Sequence, residues 1–304
     1  MLLAQTNNEK LKKIAATASI FLALFLCFAK ALAFFYTESL AVLSSMVDSL
    51  SDVLASMVTF WAVKVSVRPA TNNYRYGYGK VEALSALFQA GFVAASGLFI
   101  LYDSVDRMRH PVVLVKLDFG LIIMVLSLVA TLALVAFQRV VAKRTKSQAI
   151  LADSLHYSVD ILTNISIIVS LFVIHFWGIV WVDTVIAGFI SVYLLYNAYD
   201  LGRDAVRMLL DKELSDDIRK SIFDIVAKHQ MRPSIHDLRT RDLGNAYLFE
   251  FHLELDGKLD LYTAHKYTEE VENLIKNIYP DAQIIIHQDP VGIKEERLDN
   301  LLKL

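Results

Sequence analysis

Two stretches decide the reading of this chain: Met46-Val-Asp-Ser-Leu-Ser-Asp52 and His156-Tyr-Ser-Val-Asp160. Asp48 and Asp52 stand at i, i+4, and so do His156 and Asp160. On an α-helix that spacing puts both side chains on one face, about one turn apart. Two such helices side by side converge three carboxylates and one imidazole on a point, which is the donor set of a four-ligand metal site.

Both stretches lie inside long apolar runs. A bilayer-crossing helix takes about 20 mostly apolar residues, and six runs reach that length, at 14–36, 40–67, 81–102, 117–141, 148–176 and 179–201. Thr37-Glu38-Ser39 and Trp177-Gly178 leave room only for tight hairpins. The composition, 55% hydrophobic and 20% charged, sits on the membrane side of a soluble average of about 45–50% and about 25%. The expected class is therefore an α-helical polytopic membrane domain with six transmembrane helices, embedded in the lipid bilayer. A formal charge of -2 argues against a nucleic-acid partner. Cys27 is the sole cysteine, so no disulfide or thiolate cluster forms within one chain, and a metal falls to Asp, Glu and His. The polar start, 1–13, and the run that follows carry no small-residue cleavage site, so a removed signal peptide is not expected.

Lys and Arg set the orientation. Lys10, Lys12 and Lys13, then Lys64, Arg68, Arg75 and Lys80, then Arg139, Lys143, Arg144 and Lys146 fall on one side. The tight hairpins have none, although Arg107, Arg109 and Lys116 lie between the third and fourth helices. The balance puts both termini in the cytoplasm.

After Leu210 the pattern changes to that of a small soluble domain. Ser215 is an expected N-cap, with Asp216 and Asp217 in the first turn of a helix reaching about Gln230. Strands follow at 235–242 and 247–256 around Gly244-Asn245, the second alternating Tyr247, Phe249, Phe251, Leu253 and Leu255 against Leu248, Glu250, His252 and Glu254. A helix at 261–278 stops before Pro280, and 282–287 is a third strand. The order αββαβ predicts a two-layer α+β domain. The expected division is a transport domain at 1–210, a cytoplasmic domain at 211–290 and a charged, mobile tail at 291–304.

An ionisable side chain at the bilayer centre costs about 2.5–3.5 kcal/mol on insertion scales. A divalent cation offsets that cost, since Asp oxygens and a His nitrogen at about 2.0–2.2 Å complete a tetrahedral shell. The alternative is that these groups are interhelical hydrogen-bonding glue or line a proton path. Asp153 lies one turn before His156 and Asn164 one turn after Asp160; supporting roles for them are the weaker reading.

The chain resembles the cation diffusion facilitator family of proton-coupled divalent-metal exporters, in its bacterial zinc and ferrous-iron efflux branch. The resemblance runs nearly the full length and rests on Ser45-Met-Val-Asp-Ser-Leu-Ser-Asp52, Arg75-Tyr-Gly-Tyr-Gly-Lys-Val-Glu82, Ala152-Asp-Ser-Leu-His-Tyr-Ser-Val-Asp160, Ile235-His-Asp-Leu-Arg-Thr-Arg241 and Ile286-His-Gln-Asp-Pro290. It implies a transport site at Asp48, Asp52, His156 and Asp160. It also implies a metallochaperone-like cytoplasmic domain, a homodimer held largely by that domain, and a bacterial inner membrane location. A cytoplasmic metal site at His236, His252, His265, His287 and Asp289 follows from it, stabilising the dimer or sensing metal. The family's pairing of Lys80 with Asp211 implies an ion pair between protomers, against a solvated-charge alternative. Where relatives carry Asp and His in the loop between helices two and three, this chain has Thr71, Tyr74 and Tyr78, so that site is expected to be absent. Lys30 in the first helix has no assigned role.

Ligand softness favours Zn²⁺, Cd²⁺, Fe²⁺ or Co²⁺ as substrate over Mn²⁺, with no catalytic cofactor, and protons compete with the cation for the same donors. Two other classes compete with a transporter. An intramembrane zinc hydrolase wants three ligands, an open position and a general base, whereas four ligands close the shell. A channel or sensor has no need of a tight buried trap.

Overall fold

The apolar runs are helices in the computed structural model, which describes residues 2–37, 40–109, 120–177, 181–231, 233–293 and 296–301. They are α1 (Leu2–Thr37), α2 (Leu40–Ser66), α3 (Val81–Arg109), α4 (Gly120–Thr145), α5 (Gln148–Trp177) and α6 (Val182–Leu209). The hairpin turns expected at Glu38-Ser39 and Gly178, and the α3–α4 connection with Lys116, lie outside the described residues. Among the described residues, four helices hold stretches long and apolar enough to cross a membrane: Asn7–Leu32, Val81–Asp106, Val125–Thr145 and Thr184–Leu209.

The chain forms two compact units, Met1–Pro69 with Val81–Val206, and Ala70–Lys80 with Arg207–Leu304. The first is polar and small within, bulky and apolar without. Its buried clusters are rich in alanine, as in Ala15, Ala16, Ala62, Ala142 and Ala149, or Ala86, Ala90, Ala152 and Ala205. Phe21, Phe28, Phe35, Phe99 and Phe189 stand outside, each more than three-fifths exposed. Small residues let helix backbones approach where lipid supplies no hydrophobic drive between helices, and large apolar side chains are at ease against lipid tails. That inversion of a soluble core marks a membrane domain. Between α4 and α5, Lys146 adopts a left-handed φ of 53°, and Ser147 accepts the amides of Ile150 and Leu151 at 3.4 and 3.2 Å through its hydroxyl and carbonyl. One helix is thereby stopped and the next started without proline.

The second unit contains α7 (Asp216–Val226), β1 (Ser234–Asp242), β2 (Tyr247–Leu255), α8 (Leu261–Ile278), β3 (Gln283–Pro290) and α9 (Leu298–Leu301). The sheet order is β1-β2-β3, with β1 antiparallel and β3 parallel to β2, so the expected αββαβ domain is present. Phe249, Phe251, Leu253 and Leu255 turn to one face and close a core with Ile222, Ile225 and Val226 of α7 and Val271 and Ile275 of α8. The Ser215 hydroxyl makes no cap; its carbonyl takes the amides of Ile218 and Arg219. Asp260 caps α8 through the Thr263 amide at 3.0 Å.

Two expectations need correcting. The α2–α3 loop, counted with the membrane region in the sequence, folds with the second unit: an added Cβ at Gly79 would lie 2.1 Å from the Leu243 carbonyl oxygen. Only glycine permits that backbone approach to the β1–β2 turn. The tail is not free either. Asp237, at φ 52° in a bulge of β1, accepts the amides of Leu298 and Asp299 at 2.9 and 3.0 Å, and its own amide donates to Asp299 Oδ2 at 2.9 Å. Arg297 also pairs with Glu254. Charge that reads as solvated in sequence is held here by a reciprocal cap. Gly79→Ala should destabilise the protein by about 1–3 kcal/mol through overpacking and open residues 70–80 to protease, while Gly91→Ala, with open space around it, should not; thermal melts and limited proteolysis of the two purified variants check this.

Candidate functional site

In the membrane unit, α2 and α5 bring two of the expected ligands together. His156 Nε2 lies 3.2 Å from Asp52 Oδ1, and both side chains are about nine-tenths buried. The same two helix faces continue to meet beyond this pair: Ser56 of α2 reaches Tyr157 of α5 at 2.8 Å, one turn further on. Asp160 lies on the same α5 face as His156 and is half-buried. The Asp48 side chain is outside the described residues. Lys30 of α1 donates to Ser49 Oγ at 2.6 Å, which ties an ammonium to the residue between the two α2 carboxylates.

Below this pair lies a polar network that periodicity does not reveal. Asp153 is fully buried, and its Oδ2 accepts from Ser19 of α1 and from Gln138 of α4 at 2.6 Å. Ser19 and Ser56 are 2.9 Å apart, and Gln89 of α3 donates to Thr59 at 2.7 Å. A second hub is Glu82, 3% exposed. It takes Lys12 and Ser66 at 2.8 Å each on Oε1 and Ser147 on Oε2, joining α1, α2, α3 and the start of α5. Removing one partner of such a buried pair typically costs about 3–5 kcal/mol. The signal in the sequence was the scatter of Ser, Thr and Gln through apolar helices, residues that serve there as interhelical glue.

In the second unit, strand register lines up three histidines. His236 pairs with His252 across β1 and β2, and His252 with His287 across β2 and β3. Their rings follow one another at centroid distances of 5.0 and 4.8 Å. They occupy the sheet face opposite the helices, because the alternation of β2 sends its phenylalanines the other way. Asp289 joins them: Oδ2 is 2.7 Å from His252 Nδ1 and 3.6 Å from His236 Nε2, while Oδ1 is 3.2 Å from His287 Nε2. One atom each of His236, His252 and Asp289 lies within 4.8 Å of the others, which suits two imidazoles and a carboxylate closing on a divalent cation. Glu254, missed in the sequence reading, stands 3.6 Å from His236 Nδ1. His265 is not brought to the row; it sits exposed on α8, 3.6 Å from Glu269.

The loop positions hold no ligand set. Thr71 Oγ1 and Tyr78 OH are 3.2 Å apart, and the Tyr74 and Tyr78 rings lie tilted at a centroid distance of 4.8 Å. Lys80 and Asp211 pair within the chain, where both belong to the second unit. Arg241 adds a contact to Asp211 at 3.4 Å. Partial burial pushes the Asp211 carboxyl up, yet the Lys80 hydrogen bond and charge and the Arg241 guanidinium outweigh it and hold the group below the ordinary carboxylate range.

A bundle with buried carboxylates and an imidazole inside and bulky apolar side chains outside, in one chain with a histidine-bearing α+β domain, fits the class of integral membrane cation transporters. Residues 16–210 match the family described as the cation efflux transmembrane domain, and residues 214–291 match ZT_dimer, the cytoplasmic domain of cation efflux proteins. The chain belongs to the cation efflux family, also called cation diffusion facilitators, and is a cation efflux transporter. Similar proteins include three named cation-efflux pump FieF. The one from Shewanella oneidensis is 39% identical, covering 93% of this chain and 95% of that one. Those from Serratia proteamaculans, at 38%, and Pectobacterium atrosepticum, at 39%, cover 96% and 95% of this chain and 97% and 96% of their own. All three names are those of pumps, consistent with transport rather than enzymatic turnover.

Two outcomes follow from this geometry. Because Asp211 titrates lower folded than unfolded, its contribution is present above the unfolded value of about 3.9 and is lost as pH falls through the lower folded value. Hydrogen exchange at residues 70–80 should therefore stay slow from neutral pH to about pH 5 and rise in stronger acid, with Asp211→Asn fast throughout. Separately, a His236→Ala, His252→Ala double variant should carry less Zn²⁺ than the parent protein by elemental analysis while remaining folded.

Proposed function

We propose that this chain exports Zn²⁺-like divalent cations from the cytoplasm in exchange for protons, through an intramembrane site formed by Asp48, Asp52, His156 and Asp160. The observation that carries the reading is the 3.2 Å approach of His156 Nε2 to Asp52 Oδ1 across α5 and α2, buried within the bundle. Imidazole with carboxylates suits Zn²⁺, Cd²⁺, Fe²⁺ or Co²⁺ better than Mn²⁺ or Mg²⁺. The names of the relatives support efflux as the direction.

Antiport follows from the donors themselves. Each ligand must shed its proton to hold the cation, so the site carries either metal or H⁺. A site open to the cytoplasm captures the cation; rocking of the helices exposes it outward, where protonation of His156 and the carboxylates releases it. The protonated site then returns. Burial makes the exchange obligatory, because four empty ionised groups in an apolar bundle are costly.

The chain divides by role into a transport domain at 1–210 and a metal-binding and dimerising domain at 211–290, followed by the tail at 291–304. His236, His252, His287 and Asp289 would hold a regulatory or structural cation, with His265 contributed at the seam of a homodimer; the cation would supply a cross-link between strands. The Lys and Arg balance supports both termini in the cytoplasm, and the bacterial relatives support an inner membrane location.

Asp52→Ala and His156→Ala should each abolish pH-driven Zn²⁺ flux in proteoliposomes, and competition across Zn²⁺, Cd²⁺, Fe²⁺, Co²⁺ and Mn²⁺ should leave Mn²⁺ last. Full flux in either variant, or a preference for Mn²⁺, would overturn the reading.

A further inference from the structure

Among the buried side-chain atoms of α5 without a hydrogen-bond partner, two lie one turn apart in the middle of the helix. His156 directs Nε2 at Asp52, and its Nδ1 is buried without a hydrogen bond. Asp153, three residues earlier, uses Oδ2 for Ser19 and Gln138 while its Oδ1 is buried and without a partner. Nearby hydroxyls are already committed. Thr59 donates to the Ala55 carbonyl at 3.3 Å and accepts from Gln89, and Tyr157 is bonded to Ser56 at 2.8 Å. Gln89 and Gln138 each keep a buried Oε1 without a partner, but these are acceptors and cannot serve Asp153 Oδ1, whereas His156 Nδ1–H is a donor: residues at i, i+3 on a helix have Cβ atoms about 5–6 Å apart.

A histidine that ligates a cation through one nitrogen commonly donates its other N–H to a carboxylate, which fixes the tautomer and the ring plane and raises ligand basicity. We infer that Asp153 is the positioning residue for His156: Nδ1–H donates to Asp153 Oδ1 when Nε2 takes the cation. The carboxylate is suited to this because Ser19 and Gln138 hold it from α1 and α4, leaving one oxygen for the ring. The bond also links the ligand on α5 to two helices that carry no member of the quartet, so a change in their packing alters the hold on the cation. This role rests on His156 being a ligand of the transport site.

The test is Zn²⁺ transport by full-length protein in proteoliposomes. Asp153→Ala should raise KM for Zn²⁺ by about 10–100-fold, with kcat less affected. Asp153→Asn keeps an acceptor oxygen and should recover most of the affinity; Gln138→Leu removes only an anchor and should shift KM less, in the same direction. If Asp153→Ala fails to fold, these two variants carry the test. Equilibrium Zn²⁺ binding, in protein with His236, His252 and His287 replaced by alanine, separates positioning from general damage. There, Asp153→Ala should weaken binding in the presence of His156 and add nothing to His156→Ala. An unchanged KM in Asp153→Ala beside an inactive His156→Ala overturns the positioning role alone. Equal losses with and without His156 overturn it too, and a His156→Ala protein with wild-type KM overturns both this and the ligand assignment.

Discussion

Ionisable groups in an apolar bundle must be compensated, and the membrane unit is organised around that constraint. Asp52, His156, Asp153 and Glu82 are all nine-tenths buried or more, and so are largely shielded from bulk solvent. Each is answered differently. Glu82 has an ammonium and two hydroxyls, Asp153 has a hydroxyl and an amide, and Asp52 and His156 have chiefly each other. The least satisfied pair is the one a cation can serve. Among the described residues, Asp52 and His156 are thus the buried charges with the fewest structural partners, which supports the site proposed for metal or protons in turn.

The same logic explains the inverted packing. Alanine seams bring α1, α2, α4 and α5 close enough for short side chains such as Ser19 and Ser56 to bond across helices, and the bulk of Phe21 or Phe99 is spent on the lipid side. The second unit obeys the ordinary rules of a soluble core. Its helices bury one face of the sheet, so the other face is free to present His236, His252 and His287 in a row. A bulge at Asp237, beside the first histidine, turns its carboxylate to the tail.

Much was readable from residues alone, and the reasons are physical. A run of apolar residues has few alternatives to a helix in lipid, and the alternation from Tyr247 to Leu255 admits only one buried face. The i, i+4 pairs named the faces that had to meet. The loop is a different matter: nothing in Arg75-Tyr-Gly-Tyr-Gly79 says that Gly79 rests on the turn after β1, since that depends on backbone atoms distant in sequence. Lys80 and Asp211 likewise face each other within one chain for the same reason.

By itself, then, the sequence determined the six apolar helices, the αββαβ order, the ligand types and their helical spacing, because these are local properties of period and chemistry. Tertiary structure alone decided the rest. Strand register turned scattered histidines into a row, and helix packing chose Asp52 to face His156. It also left His156 Nδ1 and Asp153 Oδ1 buried on one helix without hydrogen-bond partners. Such facts depend on which surfaces meet across long stretches of chain, and no periodicity encodes them.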